Sequence, residues 1–133
     1  MTVRIRHITV DCAKCYDLSL FWSALTGFRE NPDDPNLPEH VQAAIEAPDG
    51  SAAMLFVEVP EGKAGKNRIH LDLQPTDATR DEEVQRILGL GATIVGDFRK
   101  EDGTGWVTMA DPEGNEFCVE RSATERAAGR AAS

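Results

Sequence analysis

A thiol and a carboxylate stand two residues apart near the end of the chain, Cys118 and Glu120, within the stretch "DPEGNEFCVER" (Asp111–Arg121). The first five residues are turn formers and the next alternate as a strand does, so both side chains fall on one strand face. Such a pair can ligate a metal; the competing reading has the cysteine filling a core while the glutamate meets solvent. Two histidines, His7 and His70, each open a strand of alternating apolar residues. An imidazole there can hold a metal, bind an anion, orient a substrate oxygen or take a proton, or it can simply bond a backbone carbonyl in the core. Cys12 and Cys15 make a Cys-x-x-Cys pair between a strand and a helix, where a helix terminus could depress a thiol pKa. The tryptophan and βαβ layout of disulfide oxidoreductases are missing, and a zinc ribbon would need a second pair. The pair therefore reads as one loop cysteine and one packed cysteine.

The elements that carry these residues repeat. "RIRHITVDCAKCYDLSLFWSALTGF" parallels "NRIHLDLQPTDATRDEEVQRILGLGA": a strand opened by His7 or His70, a polar turn, then an amphipathic helix ending at Gly27 or Gly91. Leu18, Phe21, Trp22 and Leu25 form the apolar stripe of the first helix, and Val84, Ile87 and Leu88 that of the second. Thr79 and Glu82 match a capping box at the start of the second helix. Further on, "EAPDGSAAMLFVEV" (Glu46–Val59) parallels "MADPEGNEFCVER" (Met109–Arg121), a turn followed by a strand ending in Val-Glu. Val41–Ala47, Ala92–Phe98 and Trp106–Ala110 read as the remaining strands. Each half is roughly βαβββ, with modules of about 1–62 and 63–122 in a single domain of 1–122. Lys63, Lys66 and Arg68 cluster at the connector, a solvated loop that could also draw an anionic substrate. The acidic, proline-punctuated "NPDDPNLPEH" (Asn31–His40) is a rigid surface loop, and 123–133 is expected to be a flexible tail.

At 133 residues the chain can bury one ordinary core. A formal charge of −9 argues against a nucleic-acid partner, and no apolar run is long enough to span a membrane. Three cysteines without disulfide spacing fit a reducing, cytoplasmic setting.

Paired βαβββ modules, a histidine opening each, "FWSALTGF" on the first helix and "ADPEGNEF" before the last strand together resemble the vicinal oxygen chelate superfamily. That group includes glyoxalase I, extradiol dioxygenases, methylmalonyl-CoA epimerase and bleomycin- or fosfomycin-resistance proteins. The nearest likeness is to bacterial glyoxalase-like proteins, over about residues 3–121. The resemblance implies an α+β fold in which the modules form a curved eight-stranded mixed sheet around a ligand site, and a homodimer. It also implies a divalent metal (zinc, nickel, manganese or iron) held by one residue from the first and last strand of each module. The first-strand positions fall on His7 and His70. Four residues after the turn glycine come Cys118 in the second module and Met54 in the first; aligning on Val-Glu puts Phe56 opposite Cys118 instead. Glu58 and Glu120 lie about 6–7 Å further along their strands.

The metal set implied is His7, His70 and Cys118, a three-residue zinc-type site with an open position, with Glu58 and Glu120 as catalytic carboxylates completing the shell. Trp106, Phe56 and Met54 are expected to line the ligand site. Two functions stay open: a metal-dependent lyase, isomerase or dioxygenase acting on a small oxygenated molecule, or a metal-free binder of the drug-sequestering kind.

Overall fold

The Cys118 strand lies second in a four-stranded sheet, and the short strand that follows His70 lies at the edge beside it. In the computed structural model, which describes residues 1–132, the backbone gathers into two compact units, Met1–Lys63 and a second beginning at Ala64. In the first unit, β1 (Ile8–Cys12), α1 (Cys15–Thr26), β2 (Gln42–Glu46) and β3 (Ala53–Glu58) form a sheet of order β1-β3-β2. The pair β1/β3 is parallel and β2/β3 antiparallel. Leu18, Phe21 and Trp22 of α1 are buried, and the two rings meet edge to face at 5.8 Å. The helix stops at Gly27, whose φ of 79° is the left-handed cap that a side chain resists.

In the second unit, β4 (Asp72–Leu73), α2 (Arg80–Gly89), β5 (Thr93–Asp97), β6 (Val107–Ala110) and β7 (Glu116–Val119) form a sheet of order β4-β7-β6-β5. A reciprocal capping box of Thr79 and Glu82 starts α2. One sheet face buries Val107, Met109, Phe117 and Val119 with Val84 and Ile87 of α2. Strand alternation therefore turns Thr108, Glu116 and Cys118 to the opposite face. Asp111 builds the turn before β7 by accepting the N–H groups of Glu113 and Asn115 on one carboxylate oxygen.

Arg80 is almost wholly buried and donates through one Nη to three successive carbonyls, those of Gly103, Thr104 and Gly105, each at 3.1 Å. It thereby ties the β5–β6 loop to α2.

Two expectations need correction. The structure is α+β, but its described residues hold seven strands in a three-stranded and a four-stranded mixed sheet rather than one eight-stranded sheet. In the first unit the segment after α1 makes isolated bridges, Arg29 to Glu46 and Asn31 to Asp34, in place of a strand. Pro32, Pro35 and Pro38 then remove the donors a strand needs. Asn36 takes over that edge with its side-chain amide, donating to the Ala44 carbonyl at 2.8 Å and accepting the Ala44 N–H at 3.0 Å. The stretch expected as a tail is instead the helix α3 (Ala123–Ala132). Ser122 and Glu125 cap it reciprocally, and Glu125 also accepts the Arg80 N–H at 2.7 Å, so α3 is anchored at the start of α2.

Candidate functional site

The core-opposite face of the second sheet forms the floor of a cavity of about 620 Å³. On that floor β4 and β7 run parallel with Asp72 opposite Cys118, and His70 lies two residues before Asp72 on the same face. The sequence thus folds three donors together. His70 Nδ1 is 3.4 Å from Asp72 Oδ1 and 3.9 Å from Cys118 Sγ, and all three donor atoms lie within 4.8 Å of one another.

Tetrahedral ligands at zinc bond lengths of about 2.0–2.3 Å sit roughly 3.3–3.6 Å apart, so these spacings suit one divalent ion after small rotations. Imidazole, carboxylate and thiolate together are the donor set of a borderline-soft metal. Cys118 is 7% exposed and Thr108 Oγ1 lies 3.4 Å from its sulfur. Burial pushes its thiol pKa up and the Asp72 carboxylate adds to this, while the Thr108 contact and the Lys66 charge oppose it.

The expected site residues are distributed unevenly. His70 and Cys118 come together, joined by Asp72, which the sequence reading missed; an acid two residues after a strand-opening histidine was the available signal. Glu120 also borders the cavity, 4.0 Å from Arg126, and Trp106 forms part of its wall.

The first-unit residues are placed otherwise. His7 immediately precedes β1 and is half-buried. Met54 and Phe56 are 3% and 0% exposed, on the sheet face beneath α1 rather than lining a cavity. Glu58 shares that face and accepts the Cys15 N–H at 3.2 Å, serving the start of α1.

The reason is a register difference. Thr9 pairs with Leu55 as Asp72 pairs with Cys118, so Leu55 is the counterpart of Cys118. The turn closed by Ala47 N–H to Ala52 O is one residue longer than that closed by Asp111 N–H to Asn115 O. Counting from the glycine therefore lands on the wrong face.

Cys12 and Cys15 are buried free thiols, 3.5 Å from the Val57 carbonyl and 3.2 Å from the His40 carbonyl respectively. Burial, assisted by Glu58, pushes Cys15 up to about 11, which leaves it protonated and inert.

The glyoxalase-like domain model matches residues 7–120, and the chain belongs to that family, within the vicinal oxygen chelate superfamily. A comparison with curated proteins gives no match. Among solved structures, the fosfomycin resistance protein FosX from Mesorhizobium loti is 17% identical, with a TM-score of 0.65 over 96% of this chain and 99% of its own. A FosX mutant from Listeria monocytogenes, solved with manganese(II) and a dihydroxypropylphosphonic acid, is 16% identical with a TM-score of 0.69 over 96% and 98%. A glyoxalase/bleomycin resistance protein/dioxygenase family enzyme from Burkholderia phytofirmans is 16% identical with a TM-score of 0.64 over 86% and 94%. At these identities the likeness is one of fold. No described helix is long and apolar enough to cross a membrane.

Proposed function

We propose that this glyoxalase-like protein is a metal-dependent enzyme of lyase, isomerase or dioxygenase type acting on a small oxygenated molecule in the second-unit cavity. The observation that carries this reading is the convergence of His70, Asp72 and Cys118 on the cavity floor. These residues would hold a divalent ion, with zinc best suited to the thiolate, and the ion would act as a Lewis acid toward a substrate oxygen. Around it, Glu120 stands at the cavity edge as the carboxylate available for proton transfer, its charge moderated by Arg126 at 4.0 Å. Thr108 orients the Cys118 sulfur from the neighbouring strand.

Manganese joins zinc, nickel and iron as a candidate ion, supported by the similarly folded FosX that was solved with manganese(II). A cytoplasmic homodimer belongs to the same reading, and light scattering of purified protein tests the dimer.

One observation favours the alternative of a metal-free binder. Leu55 stands where the first unit would supply its last-strand ligand, so that unit offers an apolar side chain there. Metal analysis after zinc supplementation separates the two. One equivalent in the wild type, with affinity lowered at least about tenfold in His70→Ala and Asp72→Ala, supports the enzyme. No bound zinc in the wild type supports the binder.

A further inference from the structure

Above the donor cluster, the cavity wall presents an aromatic surface that the fold holds rigid yet leaves uncovered. Phe98 and Trp106 stack with centroids 5.1 Å apart and planes 26° from parallel, yet remain 49% and 43% exposed. Their backbones are locked by a hydrogen bond from Phe98 N–H to the Trp106 carbonyl at 2.9 Å.

Two glycines make room for the pair. A Cβ on Gly96 would lie 2.7 Å from the Phe98 ring, and one on Gly105, whose φ is 93°, would lie 2.0 Å from the Phe98 carbonyl oxygen. A bulge at Val95–Gly96, where two residues of β5 face Thr108 of β6, adds Val95 to the same wall. Arg80 fixes the loop just before Trp106 through its three carbonyl contacts. A preorganised, exposed apolar surface of this kind is one that a ligand covers.

The charge around the cavity is opposite to that of the chain. Against a formal charge of −9 overall, the lining carries four cations, Lys66, Lys100, Arg121 and Arg126, and three carboxylates, Asp72, Glu116 and Glu120. The carboxylates are engaged: Asp72 by His70, Glu116 by the Asn67 N–H at 3.0 Å, and Glu120 by Arg126. Lys66, Lys100 and Arg121 make no side-chain ion pair among the described residues. Lys100 and Arg121 also act on the Asp102 carboxylate, though not within ion-pair distance, and with Lys66 they form a local attraction for an anion in a chain otherwise so acidic.

We infer that the cavity takes a planar aromatic anion, its ring laid against the Phe98–Trp106 shelf and its carboxylate or phosphonate turned to Lys66, Lys100 and Arg121. This deepens the reading of the cavity as the ligand site, and it names a substrate class that metal ligation alone does not.

Trp106 itself can report binding. Trp22 is only 3% exposed, and a Trp22→Phe variant leaves Trp106 as the sole tryptophan, read by excitation that spares tyrosine. Quenching would be titrated with benzoate, with benzamide (same ring, no charge) and with cyclohexanecarboxylate (same charge, no π-face). The expected order places benzoate tightest, with each comparison compound weaker by about tenfold. Lys100→Gln combined with Arg121→Gln should remove the advantage of benzoate over benzamide while leaving benzamide unchanged. Gly96→Ala, which displaces the Phe98 ring, should remove its advantage over cyclohexanecarboxylate. Equal affinity for all three compounds overturns the inference. So does an absence of any response together with a Trp106-dependent dimer, which would assign the shelf to a second copy of the chain. Zinc uptake measured on the same samples reports separately on the metal reading: zinc bound without benzoate selectivity sinks only the substrate class, and the reverse sinks only the metal.

Discussion

At the scale of single residues, three cysteines in one chain have three different environments. Cys12 and Cys15 point into the first unit's interior, where burial keeps the Cys15 thiol protonated. Cys118 is buried too, but beside an imidazole and a carboxylate that open onto a cavity. Native protein treated with iodoacetamide near neutral pH should therefore spare Cys12 and Cys15, with any slow labelling confined to Cys118 and suppressed by zinc. Mass spectrometry of tryptic peptides reads this directly, and rapid native labelling of Cys15 would contradict the placement.

The sequence made Cys118 legible because the glycine-to-strand count holds in the second module. The glycine count pointed to Met54 because the first module's turn holds one more residue, and the Val-Glu alignment pointed to Phe56, whereas strand register makes Leu55 the counterpart of Cys118. Asp72 escaped notice because a lone acid beside a strand is ordinary until a partner strand brings a thiol opposite it.

At the scale of elements, amphipathic helices and turn-bounded strands were readable from periodicity, and the capping box of α2 is present as the Thr79 and Glu82 spacing predicts. Periodicity could not show that an asparagine amide closes the β2 edge in place of a strand. Nor did the Ala-rich final stretch advertise α3, although Ser122 and Glu125 carried the same capping signal as Thr79 and Glu82.

Arg80 tests the packing of these elements. Replacing it with Met strips three loop carbonyls of their donor and should lower stability by about 2–4 kcal/mol, read as a lower urea midpoint. An unchanged midpoint would show that water serves those carbonyls equally well.

Nearby, Arg99 holds Asp97 at about 2, below its ordinary 3.8, through hydrogen bonds to the carboxylate. A depressed acid contributes stability above its unfolded pKa, and that contribution is lost as pH falls from about 4 through about 2. Asp97→Asn should flatten this part of the acid-denaturation curve. Because Asp97 is exposed, the effect is small and needs the wild type measured beside it.

At the scale of the whole molecule, the net acidity of the chain excluded nucleic acid as an expected partner but hid the local excess of cations at one cavity. Composition averages over a surface, whereas a ligand meets only the few side chains around it. The family was legible from paired modules and their histidines; the chemistry was not, since the donors depend on a register that only the folded sheets fix. The central claim is that His70, Asp72 and Cys118 hold one metal ion. Cobalt(II) added to the protein tests it, because a cobalt–thiolate bond gives a charge-transfer band in the near ultraviolet. The account predicts that band in the wild type and its loss in Cys118→Ser, with His70→Ala and Asp72→Ala weakening cobalt binding. Cobalt bound without the band, or equally well by Cys118→Ser, would contradict it.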